Sequence, residues 1–196
     1  MNGDVSNVNI GKENKLAGIS VILLILGPFF LGLPSLIGII LLLVALYRIS
    51  SKLKIDAFRK VLIATIVFLI GLIIASIISF SFMFAGHILG SMFRTDNFEL
   101  TEYIISEFLS TFLPLVMLFF FFLIMYAITL YSSYLIKKAF EGLAYKTRYN
   151  LFRTGGAFIW WGALLSIVLV GLLLSLIGWI ILAVAFFKSP GKIQVL

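Results

Sequence analysis

Residues 16–47 read LAGISVILLILGPFFLGLPSLIGIILLLVALY. An α-helix rises about 1.5 Å per residue, so about 20 apolar residues cross the roughly 30 Å hydrocarbon core of a bilayer. This run is too long for one crossing and short for two. Gly27-Pro28 and Gly32-Leu33-Pro34 fall at its middle, and glycine beside proline marks a turn. The reading is a hairpin of two short helices, 16–27 and 35–49. Helices that short either thin the bilayer locally or turn back inside it as a re-entrant hairpin.

The second arm of this hairpin has a counterpart near the other end of the chain. Residues 35–50 read SLIGIILLLVALYRIS and residues 175–190 read SLIGWIILAVAFFKSP, with eight matches in sixteen positions at a constant offset of 140. Helical spacing places Ser35, Gly38 and Ala45 on one stripe, and Ser175, Gly178 and Ala185 on an equivalent one. Small residues let helix backbones approach closely, and dispersion then drives an association that hydrophobicity cannot drive inside lipid. These six residues are helix-packing candidates. Gly71, Ala75 and Ser79 form a similar stripe on another apolar helix.

The 196 residues are 62% hydrophobic and 12% charged, whereas soluble domains run near a quarter charged. Two further apolar stretches, 61–90 and 108–136, each read as one long helix. A last stretch, 157–187, is either one helix or a second hairpin turning near Gly171, and the repeat favours the hairpin. The expected fold is all-α: a polytopic helical membrane protein with about six membrane helices arranged hairpin, helix, helix, hairpin. A single membrane domain covers 16–190, with helices about 16–27, 35–49, 60–90, 108–136, 157–170 and 173–187. Residues 1–15 are expected as a disordered cytoplasmic tail and 191–196 as a short cytoplasmic tail. Asp56 or a near neighbour caps the third helix, and Pro114 kinks or starts the fourth. Lys12 and Lys15 resemble the basic start of a signal peptide, but no small-residue cleavage site ends the first run, which reads as a retained anchor.

Formal net charge is +7, and 14 of the 15 Lys and Arg residues lie in the N-terminal tail, the 48–60 and 137–154 loops and the C-terminal tail. The exception, Arg94, sits among Asp96, Glu99, Glu102 and Glu107. Cytoplasmic loops carry the excess of Lys and Arg. The expectation is six crossings of the plasma membrane with both termini cytoplasmic. Equivalent helices of the repeat are then four crossings apart and run the same way, as in a parallel repeat about an axis along the membrane normal. Cations beside apolar spans fit anionic headgroups rather than nucleic acid. The inner segment KKAFEGLAYKTRYNLFR, which interleaves cations with aromatics, is read in the same way. Expected partners are membrane lipids, including anionic headgroups, and a membrane-protein partner or a second copy of the chain.

There is no cysteine, which excludes thiolate metal sites, thiol nucleophiles and disulfides. His87 is the one histidine. Ser76, Ser79, Met83 and His87 share a helical face and are weak candidates for a polar pathway. The plainer reading is a histidine near the membrane boundary and serines bonded to their own helix. Asp96 and Glu99 resemble a capping box opening an amphipathic helix on the outer surface. No Ser/His/Asp set, buried carboxylate pair or metal-ligand spacing appears. Gly155-Gly156 lacks the lysine and hydroxyl of a phosphate loop. No enzyme activity, cofactor or metal is expected.

At LAGISVILLILG, LPSLIGIILLLVALYRIS, FRKVLIATI and WWGALLSIVLVGLLLSLIGWIILAVAFF, the chain resembles an archaeal family of multi-pass membrane proteins, domain of unknown function nine hundred and ninety-six. The likeness covers both terminal thirds and the start of the third helix. It implies an archaeal plasma-membrane protein and transfers no catalytic or binding residues. The leading expectation for function is a structural or accessory subunit of a membrane complex. The alternatives are a small oligomeric permease or channel using Ser76, Ser79 and His87, and a hairpin protein that shapes or senses the membrane.

Overall fold

The structure, a computed structural model, describes residues 6–92, 100–168 and 170–195. It is an all-α polytopic membrane protein whose helices are α1 (Gly11–Leu26), α2 (Leu33–Leu53), α3 (Ala57–Met92), α4 (Leu100–Thr147), α5 (Leu151–Leu164) and α6 (Val170–Lys188). Among the described residues five helical segments are long and apolar enough to cross a membrane; α5 is not among them. A short β-ribbon, β1 (Ser6–Asn9) with β2 (Lys192–Val195), joins the two ends of the chain.

The first hairpin forms as its glycines and prolines dictate. α1 ends in one turn of 3-10 helix, Gly27–Phe30, with Pro28 at its start. The chain then reverses through Leu31 and Gly32, both left-handed (φ 53 and 81). Glycine adopts that conformation without steric cost. Pro34 sits in the first turn of α2, where its missing N–H is not needed.

The tails differ from expectation. Residues 1–15 are expected as a disordered tail and 191–196 as a short tail, yet from Ser6 onward the first is strand and then helix. β1 and β2 pair antiparallel with Ser6 opposite Val195 and Asn9 opposite Lys192. Ile10 and Ile193 bury their side chains in the core, and the Ile10 N–H donates to the Gly191 carbonyl at 2.7 Å. α1 starts at Gly11, not 16. The Gly11 N–H donates to Asn9 Oδ1 at 3.1 Å, and Glu13 occupies the first turn, where a carboxylate suits the helix dipole.

The inner loop expected at 137–154 is also mostly helix. α4 runs on to Thr147 and α5 begins at Leu151, so only 148–150 connect them. The reason is amphipathicity: Ala139, Phe140, Leu143, Ala144 and Thr147 are buried, while Lys137 and Lys138 pair with Glu141 at 3.9 and 3.1 Å on another side of the helix. At its other end α4 continues without a break through Pro114 from Leu100, where a surface helix and a separate span were expected. α3 is capped not by the Asp56 side chain but by Ser50, whose hydroxyl accepts the Phe58 N–H at 2.9 Å. The stretch 157–187 is a hairpin, turning at 165–168 rather than at Gly171.

The chain divides into two compact units. The larger comprises residues 1–66 and 130–196, the smaller 67–129. The core of the larger unit centres on Phe140, Phe152 and Phe186, whose ring centroids lie 4.9–6.4 Å apart. Leu46, Ile49, Leu53, Leu143 and Leu182 pack around them. Within this unit the Ser132 hydroxyl ties α4 to the Ala64 carbonyl of α3 at 3.2 Å. In the smaller unit most described side chains of α3 and α4 are exposed apolar groups; Gly71 packs under Ile128.

Candidate functional site: two hairpin apices above a basic rim

In the larger unit the helices carry their cations at one common end. Lys12 and Lys15 open α1, Arg48 and Lys52 close α2, Arg59 and Lys60 open α3, Lys137, Lys138 and Lys146 close α4, Arg153 opens α5 and Lys188 closes α6. Contacts bring these termini together. Lys52 Nζ donates to the Asn9 carbonyl at 2.8 Å and to Glu13 Oε1 at 2.7 Å. Gly156 lies against the backbone of Lys137, and Gly18 against the ring of Phe187. The packed aromatic core sits at this end as well.

The opposite ends of both hairpins are bare and apolar. In the first, Phe29 is 78% and Leu31 98% exposed; in the second, Ile167 is 77% exposed and Val168 and Val170 are also open. Part of the described turn backbone is paired within each hairpin. The Gly32 N–H donates to the Gly27 carbonyl at 2.9 Å, Val168 N–H to Leu165 at 2.9 Å and Gly171 N–H to Val168 at 2.8 Å. The Ser166 hydroxyl donates to the Ala163 carbonyl at 2.8 Å. Backbone surrounded by hydrocarbon must be paired within the protein, and these bonds pair part of it. From the nearest basic residues to the apices the hairpins reach about 20–27 Å at about 1.5 Å per helical residue, against a core of roughly 30 Å.

The small-residue candidates fall on the seams inside the hairpins. A Cβ on Gly38 would meet the Ser20 carbonyl oxygen at 2.8 Å and the Leu24 nitrogen at 3.0 Å; one on Gly178 would meet the Ile159 nitrogen at 2.8 Å and the Gly155 oxygen at 3.0 Å. Ala45 and Ala185 are fully buried, as is the pair Leu42 and Leu182 beside them. The Ser35 hydroxyl donates to the Leu24 carbonyl at 3.3 Å, and Ser175 lies against Gly162. In the smaller unit Gly71 and Ala75 are buried, but Ser79 is exposed. The stripes legible in the sequence do not include Gly18, Gly155 and Gly162, the partner glycines on α1 and α5. The i, i+7 spacing of Gly155 and Gly162 is the signal that marks them.

Of the pathway candidates, Ser76 and Ser79 are exposed. The Ser76 hydroxyl donates to the Leu72 carbonyl of its own helix at 2.7 Å. The side chains of Met83 and His87 lie outside the described residues, as does the capping box of Asp96 and Glu99. Among the described residues no three His, Cys, Asp or Glu side chains gather as a metal site would require.

The chain belongs to the family described as "Protein of unknown function (DUF996)", whose profile matches residues 34–180. It is similar to an uncharacterized protein of Methanocaldococcus jannaschii, at 30% identity over 185 residues, covering 93% of this chain and 95% of that protein. This agrees with the resemblance drawn from the terminal segments. No solved structure matches the chain.

Proposed function

We propose that this chain is a non-catalytic membrane protein whose two short hairpins enter the hydrocarbon from the basic face, stop inside it and act as paired wedges that shape or sense the bilayer. The observation that carries this reading is the pair of apices: exposed, without charge, and about 20–27 Å from the nearest basic residues against a core of roughly 30 Å. The rim then marks the cytoplasmic surface, with both chain ends beside it in the ribbon. The matched burial of Gly38 and Gly178, Leu42 and Leu182, and Ala45 and Ala185 supports reading the hairpins as duplicated copies of one wedge.

The subunit reading rested on small-residue faces seeking a partner, and most of those residues are occupied within the chain. The channel reading loses the Ser76 hydroxyl to its own helix. The wedge reading is tested by single cysteines at Phe30, Asn97, Lys146 and Val170 in this cysteine-free chain, labelled with an impermeant thiol reagent. Asn97 should label from outside and Lys146 from inside. Phe30 and Val170 should stay protected from both sides until the membrane is dissolved, and outside labelling at these two would overturn the wedge. Reconstituted protein should also shift the size distribution of vesicles; an unchanged distribution would remove the shaping role.

A further inference from the structure

We infer that the foot of α1 is a binding site for an anionic lipid, with the headgroup among Lys15, Arg48 and Lys188 and an acyl chain along α1. α1 is flanked by α2 on one side and α6 on the other, through Gly38 against Ser20 and Leu24 and through Gly18 against Phe187. Its outward stripe, Ile19, Ile22 and Leu26, is exposed and apolar, and the same stripe continues at helical spacing to exposed Lys15. Lys15 therefore stands where an acyl chain on this stripe would end in a headgroup.

The two flanking cations are equivalent positions of the repeat. Tyr47-Arg48 on α2 aligns with Phe187-Lys188 on α6 at the offset of 140. All four side chains are exposed. The register of Gly18 with Phe187 and of Gly11 with Gly191 sets Lys188 across from Lys15. The hairpin register brings Arg48 to the same turn of α1. An aromatic followed by a cation at the membrane surface suits the headgroup level. Three cations on neighbouring helices repel one another, and an anion between them relieves that repulsion. Among the described residues the nearby carboxylate, Glu13, is paired with Lys52 and also attracted by Arg48, so this part of the rim keeps a net positive charge. Phosphate on a lipid supplies both the missing charge and the chain for the stripe.

The site needs only that the rim lies at the membrane surface, so it stands or falls separately from the depth of the apices. The full chain is purified in micelles containing equal parts phosphatidylglycerol and phosphatidylcholine, and retained lipid is read by native mass spectrometry. The wild type should retain phosphatidylglycerol preferentially. Each of Lys15→Gln, Arg48→Gln and Lys188→Gln should cut that preference about fivefold, from the roughly 1 kcal/mol a cation contributes at an anionic surface. The triple variant should abolish it, while its thermal midpoint in lipid-free detergent stays unchanged. A control triple with the same charge loss, Lys54→Gln, Arg59→Gln and Lys146→Gln, should keep it. Equal loss in both triples, or no preference in the wild type, would overturn the site.

Discussion

Leu31→Lys separates a hairpin that stops inside the hydrocarbon from one that emerges. Leu31 is 98% exposed, so the change removes almost no packing. Its φ of 53 is shared by Lys54 and Arg148, so the backbone already accommodates a long cationic side chain in that conformation. What remains is the medium around the side chain. On the membrane-insertion scale a lysine deep in the span costs roughly 2.5–3.5 kcal/mol, and the lost leucine adds about 0.5 kcal/mol. The sum, about 3–4 kcal/mol, is an upper limit set at the bilayer centre and corresponds to as much as several hundredfold in the ratio of inserted to uninserted chain. Snorkelling does not remove the cost on the inner side, because the rim lies about 20 Å or more away. Leu31→Asp, too short to snorkel, should behave alike. The measurement is the fraction of chain resisting alkaline extraction from vesicles, with thermal unfolding in detergent as the control that should not move. Full insertion of Leu31→Lys, with its amine open to an impermeant reagent from outside, would refute the buried apex.

Gly38→Ala and Gly178→Ala should each destabilise the protein by about 1–3 kcal/mol, since overpacking against backbone forces a helix to shift. In contrast Gly142, in α4, has open space where a Cβ would stand, and Gly142→Ala should stabilise by about 0.5–1 kcal/mol. Thermal midpoints in one detergent rank the three, and a Gly178→Ala midpoint at or above wild type would contradict the close α5–α6 seam. Lys52→Ala removes a half-exposed lysine's ion pair with the largely covered Glu13 and the tie to the Asn9 carbonyl, so it should cost about 1–2 kcal/mol while speeding hydrogen exchange in the β-ribbon; unchanged exchange there would mean the ribbon holds without it.

The parts of the fold legible in the sequence are those governed by local rules. Gly27-Pro28 and Gly32 to Pro34 announce a reversal because only particular residues fit those backbone angles, and the hairpin forms there. The seam positions were legible because Gly38 and Gly178 recur with their neighbours. The ribbon was not legible. Neither Ser6–Asn9 nor Lys192–Val195 is a strand by itself, and each becomes one only when α1 and α6 set them side by side. The continuation of α4 through 137–147 was hidden for a different reason. Its charges mark the membrane surface, and the same residues also fit an amphipathic helix, whose buried side depends on Phe152 and Phe186 from elsewhere in the chain.

Four stretches of the chain lack Asp, Glu, Lys and Arg: 16–47, 61–93, 108–136 and 154–187. Drawn out as helix, each is about 45–50 Å long at about 1.5 Å per residue. Charge spacing therefore does not distinguish them; turn chemistry does. The terminal two fold back near their middles, halving their reach, while the described parts of the central two run straight within α3 and α4. Seating a 45 Å run in a 30 Å core takes a tilt of about 48°, beyond the usual range of roughly 0–40°. On the proposed wedge reading the hairpin apices, about 20–27 Å from the rim, stop short of the same core. One chain thus holds segments too long and segments too short for an ordinary bilayer, and no single thickness matches both. Thickening relieves the long helices and buries the apices more deeply; thinning brings the apices toward the far surface. On the proposed wedge reading, opposed mismatches would make the protein respond to thickness in either direction, which is a physical route to sensing.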